Sequence, residues 1–398
     1  MINSLVIAPT FLRSSCAVGQ IERHFIANLP QSHYSHVLCS SNYDMNINGD
    51  RFVVYQRPER NVFHYIDVLA RKMHISDLSY SPDAFYYSWN GRAYREAKKI
   101  IKSNKIDYIL TINNPVSSHL LGLKLKQKYG TPWVAYLFDP WHNNPFRQYK
   151  WSCFDKKDAY QERLVADNAD VLLFPNQELL DSWITIYGEN IKSKSFVLPF
   201  ATSIPEIKGK TNNDGKVVIS HIGALSESRR ANVFLEALNH IKQHSPDNYK
   251  QLQLNIVGYI SDLDKKLIDE YKLNDVVNVV GHISEQECVH YYEQSDMFLI
   301  IDINCSPNLF YPSKLLKYFC YKKPIIGITT ENSVVANELS KTGNHVFKYD
   351  DSHSLSIFLN KVVEDFSFAR TNDVDYYKKF LVENVSEEYL KILNNILV

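Results

Sequence analysis

The chain lacks several features that would place it in a common functional class. It has no GxxxxGK[ST] loop of P-loop NTPases, no GxGxxG of dinucleotide-binding folds and no GxSxG of serine hydrolases. It also lacks a net charge, since 44 lysine and arginine residues balance 44 aspartate and glutamate residues. A general nucleic-acid-binding protein needs a surplus of basic residues to neutralise phosphates, so we expect no nucleic-acid partner.

Cysteine is scarce and scattered, and targeting segments are missing. No two cysteines form a CxxC pair, and no histidine lies nearby at the spacing of zinc ligands. The first residues lack the basic leader of a signal peptide, and no apolar run is long enough to span a bilayer. We expect a soluble cytoplasmic protein with free thiols, for which peripheral contact with the inner face of the cytoplasmic membrane stays open. The cysteines are Cys16, Cys39, Cys153, Cys288, Cys305 and Cys320.

The order of predicted elements indicates two α/β domains. With 398 residues, of which 45% are hydrophobic and 22% charged, the chain is globular and longer than one hydrophobic core usually serves. Strand-like runs such as DYILTI and KVVISHIG alternate with helical patterns, which is typical of βαβ units and a parallel sheet. The alternation pauses in the polar segment IPEIKGKTNNDGK, which has no apolar period.

We therefore divide the chain into four segments. They are a first Rossmann-like domain at 1–204, a linker at 205–216, a second Rossmann-like domain at 217–375 and a C-terminal helix at 376–398 that could pack back towards the first domain. Ligands of doubly wound sheets bind outside the carboxyl ends of the strands. We expect the strand-end loops of both domains to face a central cleft.

Two loops at predicted strand ends of the second half combine glycine with polar side chains. In SHIGALSESRR, Gly223 follows a strand, and Arg229 and Arg230 precede the next helix. Glycine lets a ligand approach the backbone closely, and arginine binds phosphate through a planar set of donors. In VVGHIS, His282 and Ile283 lie between a strand and a helix, where the backbone could hold a base edge. Taken alone, each loop is better explained as a surface turn.

A third loop leads into Pro312-Ser313-Lys314, at the start of a predicted helix. Proline suits the first helical position, where its missing N–H group has no consequence. The free N–H groups of Ser313, Lys314 and Leu315, with the Lys314 ammonium, would form an anion site. The structural alternative is an incidental lysine on a surface helix, but three such loops in one domain favour a site.

The order and spacing of these segments resemble the retaining glycosyltransferases of family 4, whose GT-B fold has two facing Rossmann-like domains. In the second half the resemblance rests on IGALSESRRANVFLEAL, VVGHISEQECVHYYEQSDMFLII and PSKLLKYFCYKKPIIGI. In the first half a Trp-bearing helix, the helix SSHLLG and the segment DPW follow in the order found in bacterial members of polysaccharide synthesis. The resemblance covers nearly the whole chain.

The resemblance implies roles for individual residues on the donor side. Arg229 and Lys314 would bind the donor diphosphate and act as catalytic groups, and Gly223 would lie beside the phosphates. His282 and Ile283 would meet the nucleobase. The further residues assigned to donor binding are Arg230, Pro312, Ser313 and Lys317.

On the acceptor side the resemblance implies roles for Gly19, Asp139 and His142. Gly19 matches a flexible glycine that faces the cleft, and Asp139 and His142 follow a strand that faces the reacting sugar. Asp139, implied to be catalytic, would orient the acceptor hydroxyl or stabilise positive charge on the sugar ring. A simple turn residue before Pro140 is an equally good interpretation of Asp139.

The sequence departs from the family pattern at three points. Family members usually have glutamate at the position of Lys317, where it binds the donor ribose hydroxyls, and many have a second glutamate at the position of Leu309. A lysine cannot accept hydrogen bonds, so the donor nucleotide could be held differently, Lys317 could add charge for a donor with an extra anionic group, or activity could be lost. The segment YLFDPW also lacks an arginine that the family form carries.

The function implied is transfer of a sugar from a nucleotide-sugar donor to a glycan or polyprenyl-linked saccharide in capsule, O-antigen or other surface polysaccharide synthesis. No metal or cofactor is implied. The alternatives are a non-catalytic GT-B nucleotide-binding or interaction module and a GT-B sugar-nucleotide epimerase. An aromatic and basic run could touch lipid headgroups, although packing between helix and sheet explains it better. This run is Phe85, Tyr86, Tyr87, Trp89, Arg92, Tyr94 and Arg95.

Overall fold

The fold was analysed in a computed structural model of the chain. It describes residues 1–13, 16–41, 47, 49–59, 81–147, 149, 151–207, 215–371, 375–394 and 396–397. The chain forms two compact units, the first made of Met1–Thr202 with Lys379–Val398 and the second of Ser203–Lys378. Residues 208–214 of the predicted linker lie outside the described residues.

The first unit is built on a seven-stranded sheet in the order β3-β2-β1-β4-β5-β6-β7, with every adjacent pair parallel. Its strands are β1 Ile2–Ile7, β2 His33–Ser40, β3 Phe52–Arg57, β4 Tyr108–Ile112, β5 Trp133–Tyr136, β6 Val171–Phe174 and β7 Ser195–Val197. Its helices up to the second unit are α1 Ala17–Ala27, α2 Ala84–Ser88, α3 Asn90–Ser103, α4 Ser117–Tyr129, α5 Ser152–Asn168 and α6 Gln177–Tyr187. Strands β4, β5 and β6 are buried along their whole length, which explains their unbroken apolar sequences.

The second unit has a six-stranded parallel sheet in the order β10-β9-β8-β11-β12-β13. Its strands are β8 Val217–Ile222, β9 Leu252–Val257, β10 Val277–Gly281, β11 Met297–Ile301, β12 Ile325–Ile328 and β13 His345–Phe347. Its helices are α7 Asn232–His244, α8 Pro246–Lys250, α9 Asp262–Glu270, α10 Glu285–Gln294, α11 Lys314–Cys320, α12 Val334–Lys341 and α13 Ser352–Glu364.

Both sheets reverse their strand order at an inner strand, as doubly wound sheets do. The order changes direction between β1 and β4 in the first unit and between β8 and β11 in the second. The prediction of two Rossmann-like domains is therefore confirmed. Loops that leave the carboxyl ends of β8 and β11 meet at the switch point of the second sheet, which is where such sheets bind ligands.

The last helix, α14 Val382–Asn394, belongs to the first unit. Just before this helix, a backbone hydrogen bond from Thr202 N to Phe380 O at 2.7 Å joins the returning chain to the first unit. Tyr389 of α14 is fully buried, its hydroxyl lies 3.1 Å from the Tyr108 hydroxyl, and its ring centroid lies 5.1 Å from that of Phe25. The helix therefore completes the core of the first unit.

The aromatic and basic run near α2 and α3 is partly used for packing. Trp89 is fully buried and donates its indole N–H to Arg57 O at 2.9 Å, and the Tyr94 ring lies 4.4 Å from Lys124 Nζ. Tyr86 is 37% exposed. None of the described helices is both long enough and apolar enough to cross a membrane.

Tyr389→Ala should destabilise the first unit by about 3–5 kcal/mol, because it leaves a cavity and removes a buried ring contact. All five tryptophans lie in the first unit, so tryptophan fluorescence during urea unfolding reports on this unit alone. Lys391→Ala on the same helix is the control, since its side chain is 62% exposed. Equal midpoints for the two variants would contradict the role assigned to α14.

Candidate functional site

Three glycines in a row mark the carboxyl ends of β8, β9 and β10. Gly223, Gly258 and Gly281 all have positive φ angles, of 135°, 128° and 81°. Gly223 N donates to Val257 O, and Gly258 N donates to Gly281 O, both at 2.7 Å. A Cβ on Gly258 would lie 2.6 Å from Gly223 O, so the backbone at Gly258 has no room for a side chain.

Gly223 also makes room for the amine of Lys314. A Cβ at Gly223 would lie only 2.6 Å from Lys314 Nζ. Lys314 comes from the first turn of α11, which follows β11, so the two strands of the switch point bring these residues together. The sequence analysis assigned both residues to phosphate binding, and the structure places them in contact.

His221, which the sequence analysis did not select, holds the Lys314 amine on the other side. His221 Nδ1 lies 3.0 Å from Leu299 O, and Nε2 lies 3.0 Å from Lys314 Nζ. A carbonyl oxygen can only accept, so Nδ1 carries the proton and Nε2 accepts from Lys314. Burial and the adjacent Lys314 charge lower the pKa of His221 well below its usual value, which keeps the ring neutral.

Lys314 and Arg229 form a cationic pair at this switch point. Burial and the Arg229 guanidinium lower the pKa of Lys314 to about 7, against the opposing charge of Asp302. Burial and a second cation therefore leave the charged amine of Lys314 short of compensating negative charge. An anion with two or more charges, such as a diphosphate, would supply it.

Asp302, at the end of β11, is the buried carboxylate that the sequence analysis missed. It is 1% exposed and accepts hydrogen bonds from Ile303 N at 2.8 Å, Asn308 Nδ2 at 2.7 Å and Thr329 Oγ1 at 3.2 Å. Burial raises its pKa to about 6, although these bonds and the Arg229 charge oppose the shift. Asp302 thus fixes the loop between β11 and α11 and supplies part of the countercharge. Its position directly after an apolar strand is the signal that could have identified it.

The start of α11 differs from the prediction. The helix begins at Lys314, and Ser313 precedes it as the N-cap without a side-chain capping bond. Leu315 N donates to Pro312 O at 2.9 Å, so this N–H group is not available to a ligand. Pro312 therefore lies before the helix and closes its first turn. Of the three N–H groups predicted to form the anion site, that of Leu315 is thus used within the turn, and anion binding by those of Ser313 and Lys314 stays a prediction.

The other donor-side residues have different surroundings. Arg230 forms an ion pair with the buried Asp264 at 2.9 Å, at the start of α9. Lys317 contacts Glu285 of α10. His282 is exposed and Ile283 is half-buried, directly after Gly281. Donor binding by these four residues stays a prediction.

In the first unit, Asp139 follows β5 and is held by residues that follow β4. Asn114 Nδ2 donates to Asp139 Oδ2 at 2.6 Å, and Asn113 Nδ2 lies 3.4 Å from Asp139 O. Thr10, after β1, lies 3.5 Å from Asn114 O through its hydroxyl, which also donates to Glu22 Oε2 at 3.2 Å. The strand-end loops of β1, β4 and β5 therefore meet around Asp139. The two asparagines directly after β4 were not selected from the sequence.

His142 and Gly19 lie elsewhere around these loops. His142 Nε2 lies 3.0 Å from Asp155 on α5, and its backbone N–H donates to Glu162. Burial raises the pKa of Glu162 to about 7, although the His142 bond opposes the shift. Gly19 lies inside α1 rather than in the loop before it, and a Cβ there would lie 2.5 Å from Thr10 O. The structure thus gives Gly19 a packing role.

Comparison with known proteins identifies the second unit. Residues 203–378 match the family described as Glycosyl transferases group 1. The second unit therefore carries a glycosyltransferase group 1 domain. These are the same residues that form the second compact unit, and they include Gly223, Arg229 and Lys314. No curated protein sequence matches the chain.

Solved structures resemble the whole chain. HepE (Alr3699) of Anabaena, in complex with UDP and glucose, is 14% identical with a TM-score of 0.64 over 100% of both chains. Sucrose-phosphate synthase of Thermosynechococcus elongatus is 13% identical with a TM-score of 0.70 over 100% of this chain and 99% of that one. WaaG, a glycosyltransferase involved in lipopolysaccharide biosynthesis, is 10% identical with a TM-score of 0.61 over 98% and 99%. The two Rossmann-like domains therefore match the GT-B glycosyltransferase fold, as predicted.

Gly223→Ala should weaken the binding of UDP-glucose roughly tenfold, because the new methyl group displaces Lys314 Nζ and the φ of 135° disfavours alanine. Isothermal titration calorimetry measures the affinity, and circular dichroism checks that the fold persists. Gly91→Ala is the control, since a Cβ there meets nothing within 4 Å. Unchanged affinity in a folded Gly223→Ala protein would show that Gly223 does not line the anion site.

The affinity for UDP-glucose should fall as the pH rises from 6 to 8.5. Lys314 has a pKa of about 7, so above this pH its amine must gain a proton before it can bind an anion. UDP-glucose is a suitable probe because neither of its phosphates titrates in this range. The limiting slope is about tenfold per pH unit.

The slope can be assigned to Lys314 because of the charges of the groups that face it. His221 stays neutral, and Asp302, with a pKa of about 6, is largely ionised above pH 7, so the slope between pH 7 and 8.5 reports on Lys314. Lys314→Arg, which stays charged at every pH used, should flatten the profile. A flat profile in the unmodified protein would show that Lys314 does not bind the anion.

Proposed function

We propose that the protein is a glycosyltransferase that moves a sugar from a nucleotide-sugar donor to a glycan or polyprenyl-linked saccharide acceptor. The observation that carries this proposal is the pair Lys314 and Arg229 beside Gly223, at the switch point of a glycosyltransferase group 1 domain. The site binds anions through fixed cations, and the domain type supplies the class of reaction.

The chemical task is departure of a nucleoside diphosphate while positive charge develops on the sugar ring. Lys314 and Arg229 would stabilise the negative charge that grows on the leaving phosphate. Because His221 already holds the Lys314 amine, little reorganisation of this amine is needed when the charge forms. Each well-placed donor of this kind contributes about 3 kcal/mol to transition-state stabilisation. We propose that the reaction needs no metal ion or cofactor.

We assign acceptor handling to the first unit. Asp139 is the carboxylate at its strand-end loops, and Asn114 fixes one of the carboxylate oxygens. Asp139 could orient an acceptor hydroxyl or stabilise the sugar cation. In the retaining reaction that we propose, the hydroxyl attacks from the side that the diphosphate leaves, and the departing phosphate takes its proton. This route needs no protein nucleophile.

The solved structures support the choice of donor and pathway. They include HepE with UDP-glucose and the lipopolysaccharide outer core galactosyltransferase WaaB. A uridine diphosphate hexose is therefore the first donor to test, and surface polysaccharide synthesis, such as capsule or O-antigen, is the pathway that we propose. The acceptor would bring the protein to the inner face of the cytoplasmic membrane.

The purified chain, given UDP-, GDP-, ADP- and dTDP-sugars with polyprenyl-linked saccharides, should release a nucleoside diphosphate and lengthen the acceptor with at least one donor. Lys314→Ala and Arg229→Ala should each lower kcat/KM roughly 100-fold, because each removes a group that stabilises the leaving phosphate. Lys250→Ala should leave kcat/KM unchanged, since this exposed lysine pairs with Asp247 on α8, which precedes the amino end of β9.

Two outcomes would replace the proposal by another function. Donor binding without transfer to any acceptor would indicate a non-catalytic nucleotide-binding module. Interconversion of donor sugars without an acceptor would indicate an epimerase.

A further inference from the structure

An ion pair joins α10 and α11 beside the anion site. Lys317 Nζ contacts Glu285 Oε1, and Lys317 lies one helical turn after Lys314. Residues three apart on a helix lie on neighbouring parts of one face, so the pair borders the Lys314 site. Glu285 is the first residue of α10, shortly after Gly281 at the end of β10.

The pair is unlike the cations next to it. Lys317 is paired with a carboxylate, whereas Lys314 faces a neutral histidine and another cation. A paired lysine offers little net charge to a second anionic group. The earlier hypothesis that Lys317 adds charge for a more anionic donor therefore loses its physical basis.

Glu285 is not needed for the structure of its own helix. The capping box of α10 is formed by Ser284 and Glu287, with Ser284 N donating to Glu287 Oε2 at 2.8 Å. The Glu285 side chain is 65% exposed and that of Lys317 is 42% exposed, so a ligand can reach both. Exposed ion pairs contribute little to stability, so the stability of the fold does not depend on either side chain.

The chemistry of the pair fits hydroxyl groups. Ionised Glu285 accepts hydrogen bonds and Lys317 donates them, and together they are nearly neutral. Adjacent strands lie about 4.8 Å apart, so the end of β10 lies about 10 Å from the end of β8, where Gly223 marks the anion site. The ribose of a nucleotide whose diphosphate is bound at Lys314 would therefore reach the end of β10. A Cβ on Gly281 would meet nothing within 4 Å, so a ligand can approach Glu285 past Gly281.

We propose that Glu285, held by Lys317, accepts hydrogen bonds from the ribose hydroxyls of the donor nucleotide and makes the site selective for ribonucleotides. This inference rests on the proposed function, since it needs a nucleoside diphosphate at Lys314. It assigns recognition of the ribose to α10 and gives Lys317 the role of a positioning residue.

The test compares three probes by isothermal titration calorimetry: UDP, 2′-deoxy-UDP and inorganic pyrophosphate. The unmodified protein should bind UDP roughly tenfold more tightly than 2′-deoxy-UDP, as expected for one charge-assisted hydrogen bond. Glu285→Gln should weaken UDP binding roughly tenfold and reduce the preference to less than twofold. Pyrophosphate, which has no ribose, should bind equally to both proteins.

Two further variants separate recognition from mere ion pairing. Lys317→Met breaks the same pair but keeps the Glu285 carboxylate, so the preference for UDP should fall only in part and stay above that of Glu285→Gln. Glu331→Gln breaks a similarly exposed ion pair of the same unit, with Lys348, and should change nothing. Equal affinities for UDP and 2′-deoxy-UDP in the unmodified protein, or equal preferences in Glu285→Gln and Lys317→Met, would overturn the inference.

The failure of the proposed function gives a different result. If neither pyrophosphate nor UDP binds the unmodified protein, the anion site itself is wrong. If both bind and only the ribose preference is missing, the anion site stands and the assignment of Glu285 is wrong.

Discussion

The amine of Lys314 lies next to the backbone of Gly223, and several residues of the second unit stabilise this contact. His221 accepts a hydrogen bond from the amine, and Asp302 fixes the loop that delivers α11. Arg229 adds a second positive charge, which makes the amine easier to deprotonate. Near pH 7 an amine with a pKa of about 7 is only partly charged, so binding of an anion would favour its protonated form.

The two units use the same architecture for different chemistry. In each, a doubly wound sheet brings loops from non-consecutive strands to one edge. In the second unit this edge carries cations and side-chain-free backbone. In the first unit it carries the carboxylate of Asp139, with an asparagine fixing one oxygen. This division suits a reaction in which one ligand is a diphosphate and the other presents a hydroxyl group.

Much of the fold could be predicted from the sequence, because strands buried on both faces leave continuous apolar runs separated by helical periods. The start of α11 was predicted less well. Proline at 312 fits a first helical position, but the chain instead closes a turn from Leu315 N to Pro312 O before the helix begins. Such a choice depends on how the loop after β11 is anchored, and Asp302 anchors it through Asn308, six residues further along the chain.

The sequence by itself determined the two α/β domains, the candidate residues for phosphate binding and the anomaly at Lys317, because apolar periodicity and residue type are local properties. Only the tertiary structure decided what surrounds those residues. It placed His221 and Asp302 beside Lys314, gave Arg230 to Asp264 and paired Lys317 with Glu285. The partners that hydrogen-bond directly are 32 to 93 residues apart along the chain. Sheet topology creates these contacts, and the spacing of residues along the chain carries no information about them.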